Sequence, residues 1–178
     1  MPRMLNFGCG DVQPAGWVNV DMYDFGQAHV TDVLDGLPFD DDHFDGIFAN
    51  HVLHVFNWDE LGESVLPELC RVLRPGGVLR VIEMDPVKAF RAFEAGDAEA
   101  LVVPDEMEPT LDGKFCLYLT WYSTRQSIPT APYLRKMMTL AGFSETAATE
   151  PGQTMSGTPE ITELDDRAAE SFFVEARK

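Results

Sequence analysis

Leu5-Asn6-Phe7-Gly8-Cys9-Gly10 is the stretch from which the rest of the chain is read. It joins a short apolar run to a glycine turn. Asp21 stands eleven residues beyond Gly10, closing a second apolar run, Trp17-Val18-Asn19-Val20. A strand, a tight glycine turn and an acid ending the next strand are the parts of a nucleoside site. Glycine lets backbone approach a ligand where a side chain would clash, and the acid can accept both hydroxyls of a ribose. A dinucleotide site would add a third glycine three positions after the second, and a helix N-terminus for the pyrophosphate. Gln13 holds that position, with Pro14 and Gly16 close behind. Gly10 to Trp17 is also short of the roughly 10–12 residues that a crossover with its helix needs. The turn therefore suits a small zwitterionic head beside an adenosine.

Outward from the turn, strand-like and helix-like stretches alternate, which predicts an α/β, Rossmann-like, doubly wound and mostly parallel sheet. Strands are expected near 4–8, 17–21, 28–33, 44–49 and 77–83, with a helical stretch near 58–73 interrupted by Gly62 and Pro67. Thr130 has the character of an N-cap, with Pro132 in the first turn and Gly142 past the end. Leu134, Met137, Met138 and Ala141 then share one face, so the methionines are expected in the core. Residues 143–150 and 171–177 should close the sheet as an antiparallel pair, making seven strands. In the last of these Phe172, Val174 and Ala176 alternate with Phe173, Glu175 and Arg177, the pattern of a half-exposed strand. Residues 151–170 are rich in Thr, Gly, Pro and acids and are expected to form a long mobile connection.

Length and composition fit residues 1–178 as a single domain. No apolar stretch is long enough to span a membrane, and Met1-Pro2-Arg3 leads straight into the first strand, which predicts no signal peptide. Cys9, Cys70 and Cys116 are odd in number and widely spaced, with no metal-ligand pattern, so a reduced, cytoplasmic setting is expected. Cys9 is expected to fill a small slot in the turn, not to act as a nucleophile. Asp40-Asp41-Asp42 is expected to be a solvated turn, and no metal is called for. With 30 acids against 13 bases the net charge is −17, which disfavours nucleic acid as a partner because that binding rests on a basic footprint.

Four motifs in order now define a resemblance. The opening Leu5-Asn6-Phe7-Gly8-Cys9-Gly10 with Gly16-Trp17-Val18-Asn19-Val20-Asp21 is similar to an "LGCG…GW.NVD" pattern. Leu37-Pro38-Phe39 with Phe44-Asp45-Gly46-Ile47-Phe48-Ala49-Asn50-His51 resembles "LPF…FD.I.ASH". Arg71-Val72-Leu73-Arg74-Pro75-Gly76-Gly77 resembles "RVLKPGG", and the strand Val78-Leu79-Arg80-Val81-Ile82 follows it. Together they resemble the class I S-adenosylmethionine-dependent methyltransferases, in particular a compact bacterial and phage group. The resemblance covers roughly residues 4–86, with a weaker match in the C-terminal strands.

That resemblance implies S-adenosyl-L-methionine as cofactor and assigns the site. Gly8, Cys9 and Gly10 would face its methionine end, with Asn6 in the place of the usual first-strand acid that orders the turn. Asp21 would hold the ribose and Met22 would stack on the adenine. Asp32 would accept the adenine amino group, and Val33 would offer a backbone N–H. Asn50 and His51 would lie under the sulfonium. Methyl transfer is an in-line displacement, so a general base is needed only for a protonated acceptor. His51 is the first candidate, because an unperturbed imidazole titrates near neutrality; His54 and Asp85 are the next. The family commonly reads "HVLEH" where this chain has His51-Val52-Leu53-His54-Val55.

Residues 97–128 fall outside the common core. They carry Pro104, Pro109, four acids between 105 and 112, and the aromatics Phe115, Tyr118, Trp121 and Tyr122. The family places its substrate-selecting insert here, so a substrate-side wall is expected, with Tyr122 and Arg125 as acceptor contacts; an ordinary aromatic-packed helix is the alternative. Many relatives cover the cofactor with N-terminal helices, whereas three residues precede the first strand here. The insert or a second copy in a homo-oligomer could then close the pocket. Three functions follow: methyl transfer to a small-molecule or sugar/glycan acceptor, cofactor binding without catalysis, and, disfavoured by Gln13, nicotinamide-dependent oxidoreduction. No "NPPY" or "DPPY" motif of an amine-modifying nucleic-acid enzyme is present.

Overall fold

The computed structural model describes residues 2–121 and 124–178, so Tyr122 lies outside the described residues. Seven strands form one sheet in the order β3-β2-β1-β4-β5-β7-β6. They are β1 Met4–Phe7, β2 Val18–Asp21, β3 His29–Val30, β4 Phe44–Asn50, β5 Leu73–Met84, β6 Glu145–Thr149 and β7 Ser171–Arg177. The first five run parallel, and β7 is antiparallel to both β5 and β6. This is the mostly parallel, Rossmann-like sheet expected, with a reversed C-terminal strand. Chain order turns back at β1, where β4 joins on the far side from β2, and such a switch point opens a crevice beyond the strands' C-terminal ends.

The helices are α1 Trp58–Glu60, a π-helical turn Leu61–Val65 continuing into α2 Leu66–Val72, then α3 Pro86–Ala95, α4 Leu111–Thr120 and α5 Ala131–Leu140. Asn57 starts α1 with a capping box: its side chain accepts from Glu60 N–H, and Glu60 reaches back to Asn57 N–H. Gly62 and Pro67 do not break this helical run; they coincide with its loosening. Pro67 has no N–H to donate one turn back, and Leu66 N–H reaches Leu61 O in the wider five-residue pattern. Thr130 caps α5 through backbone geometry alone, without a side-chain bond.

Strand alternation sends alternate residues to opposite faces. Leu5, Phe7, Val20, Ile47, Ala49, Leu79, Val81, Val174 and Ala176 point to one face, where Leu66, Leu69, Leu134, Met137 and Met138 of α2 and α5 complete a continuous apolar core. The other face carries Met4, Phe48, Val78, Ile82 and Phe173. It is covered by residues 151–170, which are not the mobile connection expected. Ile161 packs with Met4 and Val78, and Leu164 packs against Phe48, Ile82 and Phe173.

A buried ion network fixes that cover. Arg80, fully buried, stands directly opposite Glu175 in the β5–β7 register. It donates to Glu175 Oε1 at 2.8 Å and to both oxygens of Asp165, at 2.7 and 2.6 Å. Thr149 Oγ1 and the carbonyls of Gln153 and Glu150 take its remaining donors. Glu175 also accepts from Thr154 Oγ1 and Met155 N–H. The half-exposed β7 expected from alternation is therefore wrong: Ser171 to Ala176 are all buried. Glu175 faces a lid that supplies its hydrogen bonds, where the pattern placed solvent.

Candidate active site at the strand ends

The glycine turn follows β1 and is held from both sides. Gly8 and Cys9 N–H both donate to Val20 O, at 2.9 and 3.0 Å. Gly10 N–H donates to Asp21 Oδ2 at 3.0 Å, and Asp21 Oδ1 accepts Tyr23 N–H at 3.0 Å. Asn6, buried, donates to Val12 O at 2.6 Å and to Asn19 Oδ1 at 3.2 Å, tying the loop after the turn to β2. The turn's N–H groups are thus spent on the protein, and what it presents to a ligand is room. Both glycines are left-handed, with φ +69° at Gly8 and +48° at Gly10. A Cβ on Gly8 would overlap the Val52 side chain, whereas one on Gly10 would point into open space. Burial and the nearby Asp21 push the Cys9 thiol above its ordinary range, so it is no thiolate at neutral pH.

Two cavities meet here. The larger, about 520 Å³, is lined by Asp21, Met22, Asp32 and Val33 of the expected adenosine set, and by Tyr23, Phe25, Glu60, Thr124 and Gln126. The smaller, about 270 Å³, is lined by Asn6, Cys9, Asp11, Asn50, Asp166 and Arg167. Gly8, Gly10 and His51 line both. Every residue expected to bind the cofactor therefore lines one cavity or the other. Met22 is 46% exposed, free to lie against a flat ring. Asp32 Oδ1 accepts Leu34 N–H at 2.9 Å, so part of its carboxylate caps the turn after it.

The three base candidates separate. His51 follows β4 in the left-handed region (φ +50°), its N–H bonded to Ile82 O. Its Nε2 lies 2.7 Å from Ser171 Oγ, and its buried Nδ1 has no hydrogen-bond partner. Burial lowers its pKa to about 4, with Arg167 and His54 adding to the effect against the opposing pull of Glu83. The near-neutral titration expected of it is overturned by this desolvation. His54 is 2% exposed, and its Nδ1 lies 2.8 Å from Glu83 Oε2. Glu83 Oε1 accepts the N–H groups of Leu53 and His54. Burial alone would raise the Glu83 carboxyl, but His54, His51 and Arg125 together hold it below its ordinary range. Asp85 caps α3, accepting Val87 N–H at 2.9 Å. Neither His54 nor Asp85 lines either cavity.

Among its described residues the insert reaches the site through Thr124 and Gln126. Gln126 and Ser127 N–H both donate to His54 O, and Gln126 Nε2 donates to Val55 O. Most of 97–120 instead packs against the end of β5 and α3: Tyr118, Leu101 and Val103 join Met84 and Ala89, and Phe93 stacks on Phe115. Burial lowers the Arg125 pKa against the opposing pull of Glu83 and Tyr118, and its Nε and Nη2 have no partner. It lines neither cavity.

Sequence reading missed Glu83, Asp166, Arg167, Glu60, Thr124 and Gln126. Glu83 carried a signal, as an acid inside an apolar strand. Asp166 bonds Asn50 across 116 positions, which no local pattern encodes. Among the described residues no group of three or more His, Cys, Asp or Glu could hold a metal ion, and no helix is long and apolar enough to cross a membrane.

A family model described as a methyltransferase domain matches residues 15–81. No curated protein sequence matches the chain significantly. Among solved structures, an S-adenosylmethionine-dependent methyltransferase of Archaeoglobus fulgidus superposes with a TM-score of 0.62 at 12% identity, over 99% of this chain and 86% of that one. One from Thermotoga maritima gives 0.62 at 17% identity, over 100% of this chain and 83% of that one. The [4+2]-cyclase SpnF gives 0.57 at 18%, over 99% and 75%. At these identities the likeness carries the fold alone, and the cyclase shows that one such fold hosts more than one chemistry. The strand order and the shared architecture give this chain the fold of the S-adenosylmethionine-dependent methyltransferases it superposes on, and residues 15–81 match a methyltransferase-domain model.

Proposed function

We propose that the chain is an enzyme transferring the methyl group of S-adenosylmethionine to a small-molecule acceptor, sugars and glycans included. The observation that carries this reading is the pair of cavities joined at Gly8, Gly10 and His51. One offers a carboxylate and an exposed thioether to an adenosine; the other offers one guanidinium and several oxygen acceptors to an amino-acid head. Asp21 spends one lone pair of each oxygen on the protein and keeps the others for ribose hydroxyls. When bound, S-adenosylmethionine supplies a methyl group already activated on its sulfonium, so the protein contributes alignment and exclusion of water.

The larger cavity exceeds an adenosine and leaves room beyond it. Its rim carries the exposed Tyr23 and Phe25, on which a ring or sugar face could lie, and the polar Glu60, Thr124 and Gln126. Among the described residues no Lys or Arg lines it, which fits an uncharged or cationic acceptor and disfavours a polyanion. His51, neutral at pH 7, serves as a hydrogen-bonding wall between donor and acceptor. A nucleophile that carries its lone pair at neutral pH needs no more; a hydroxyl would have to pass its proton to a weak base. We read residues 1–178 as one domain working in the cytoplasm, with 97–128 on the acceptor side.

The low basicity of His51 also favours a second reading, a protein that binds the adenosyl cofactor or its product without turnover. Release of S-adenosylhomocysteine over a panel of amines, thiols, phenols and sugars separates the two. Acceptor-dependent release that disappears in Asp21→Ala supports the enzyme. Binding with no release on any acceptor supports the binder.

A further inference from the structure

We propose that the connection between β6 and β7 clamps the amino-acid head of the cofactor, with Arg167 holding its carboxylate and Asn50 and Asp166 receiving its ammonium. This deepens the reading above and rests on it. The smaller cavity has three walls: the glycine turn, the end of β4, and Leu164, Asp166 and Arg167 of the connection. Among the described residues Arg167 is the one Lys or Arg in its lining, and Asp11 and Asp166 are its acids. A zwitterion needs that inventory, one planar cation for a carboxylate and oxygen acceptors for an ammonium.

The acceptor side is left open. Asn50 Nδ2 donates to Asp166 Oδ1 at 2.8 Å, which orients the amide. Asn50 Oδ1 is then buried with no partner, a costly state that a cationic donor would relieve. Arg167 is only loosely paired. Its nearest carboxylates, Asp166 and Glu170, each stand 3.7 Å away, beyond hydrogen-bonding distance. Its backbone, by contrast, is fixed: φ is +54°, and its carbonyl accepts the N–H groups of both Glu170 and Ser171. Two residues earlier, Asp165 is locked to buried Arg80 and also accepts Gly152 N–H at 2.7 Å. The ion network beneath the sheet thus seats Asp166 and Arg167 at the cavity, so their placement is built in before any ligand arrives.

The plain alternative is that Arg167 is a loosely paired surface residue. Two ligands tell these apart. S-adenosylhomocysteine carries the amino-acid head; 5′-methylthioadenosine shares the adenosine thioether without it. Calorimetric titration of both into the full chain and into Arg167→Gln and Arg167→Lys is the test, with thermal unfolding to verify the fold. Arg167→Gln should weaken S-adenosylhomocysteine roughly ten- to hundredfold, the effect of one charge-assisted contact, while changing 5′-methylthioadenosine less than about twofold, and Arg167→Lys should recover part of the loss. Unchanged S-adenosylhomocysteine affinity in Arg167→Gln, or equal weakening of both ligands, would overturn the clamp. If neither ligand binds the unaltered chain, the cofactor reading itself fails and takes the clamp with it, an outcome distinct from either of those.

Discussion

On one face of the sheet Leu5, Ile47, Val81 and Val174 meet α2 and α5 in a continuous apolar core, while on the other Arg80, Glu175 and Asp165 share a buried ion network beneath residues 151–170. The same strands supply both faces, residue by residue in alternation. The helical face is held by area removed from water, which tolerates small changes of shape. The other is held by a few directional bonds, and it carries the wall of the smaller cavity. Stability and the shape of that cavity are therefore coupled on one face and largely separate on the other.

Arg80→Met would break this comparison most severely. Two buried carboxylates would lose their shared cation, at a cost of about 3–5 kcal/mol. Denaturant unfolding would measure the loss, and S-adenosylhomocysteine affinity should fall with it because Asp165 no longer anchors Asp166 and Arg167. A comparable loss from Leu69→Ala on the helical face, about 2–5 kcal/mol, should leave affinity nearly unchanged. Equal effects of the two on binding would show the faces are not distinct in this way.

The pH dependence comes next. His51 has a folded pKa near 4 against 6.5 for the free side chain, so the unfolded chain takes up this proton first as pH falls. Stability is full above pH 6.5 and declines between 6.5 and about 4, by roughly 3 kcal/mol for this group. His51→Asn, which tolerates the left-handed backbone, should remove that part of the slope. The depressed Glu83 carboxyl acts lower down: its contribution is present above the ordinary carboxylate range and is lost as pH falls through its folded value. An unchanged slope between pH 6.5 and 4.5 in His51→Asn would contradict the assignment.

The smallest effects separate the two glycines of the turn. Gly8→Ala meets Val52 as well as an unfavourable φ, and should cost about 1–3 kcal/mol of stability. Gly10→Ala meets only the φ, at about 1 kcal/mol, but its methyl would stand in the cavities and should weaken ligand more than Gly8→Ala does. The reverse order in binding would mean that the ligand does not pass over Gly10.

The parallel strands and the helical face were legible because apolar periodicity records burial on one side. Part of the lining of the larger cavity was legible for a local reason: Gly8, Gly10, Asp21, Asp32 and His51 all lie at strand ends or within three residues beyond them. Residues 151–170 misled because their composition is that of solvated loops, while their order comes from one arginine in an apolar strand. Arg80 within Val78-Leu79-Arg80-Val81-Ile82 and Glu175 within Phe172-Phe173-Val174-Glu175 are opposite charges in two apolar strands. Their pairing across the sheet is the signal that could have revealed a covered second face. His51 misled for a related reason, since its desolvation depends on neighbours such as Ser171, 120 positions away.

The most direct measurement is calorimetric binding of S-adenosylmethionine, S-adenosylhomocysteine and NAD to the unaltered chain and to Asp21→Ala. The account predicts micromolar binding of both adenosyl compounds, none of NAD, and loss of binding in Asp21→Ala. No adenosyl binding at millimolar ligand, or NAD binding as tight as theirs, would contradict it.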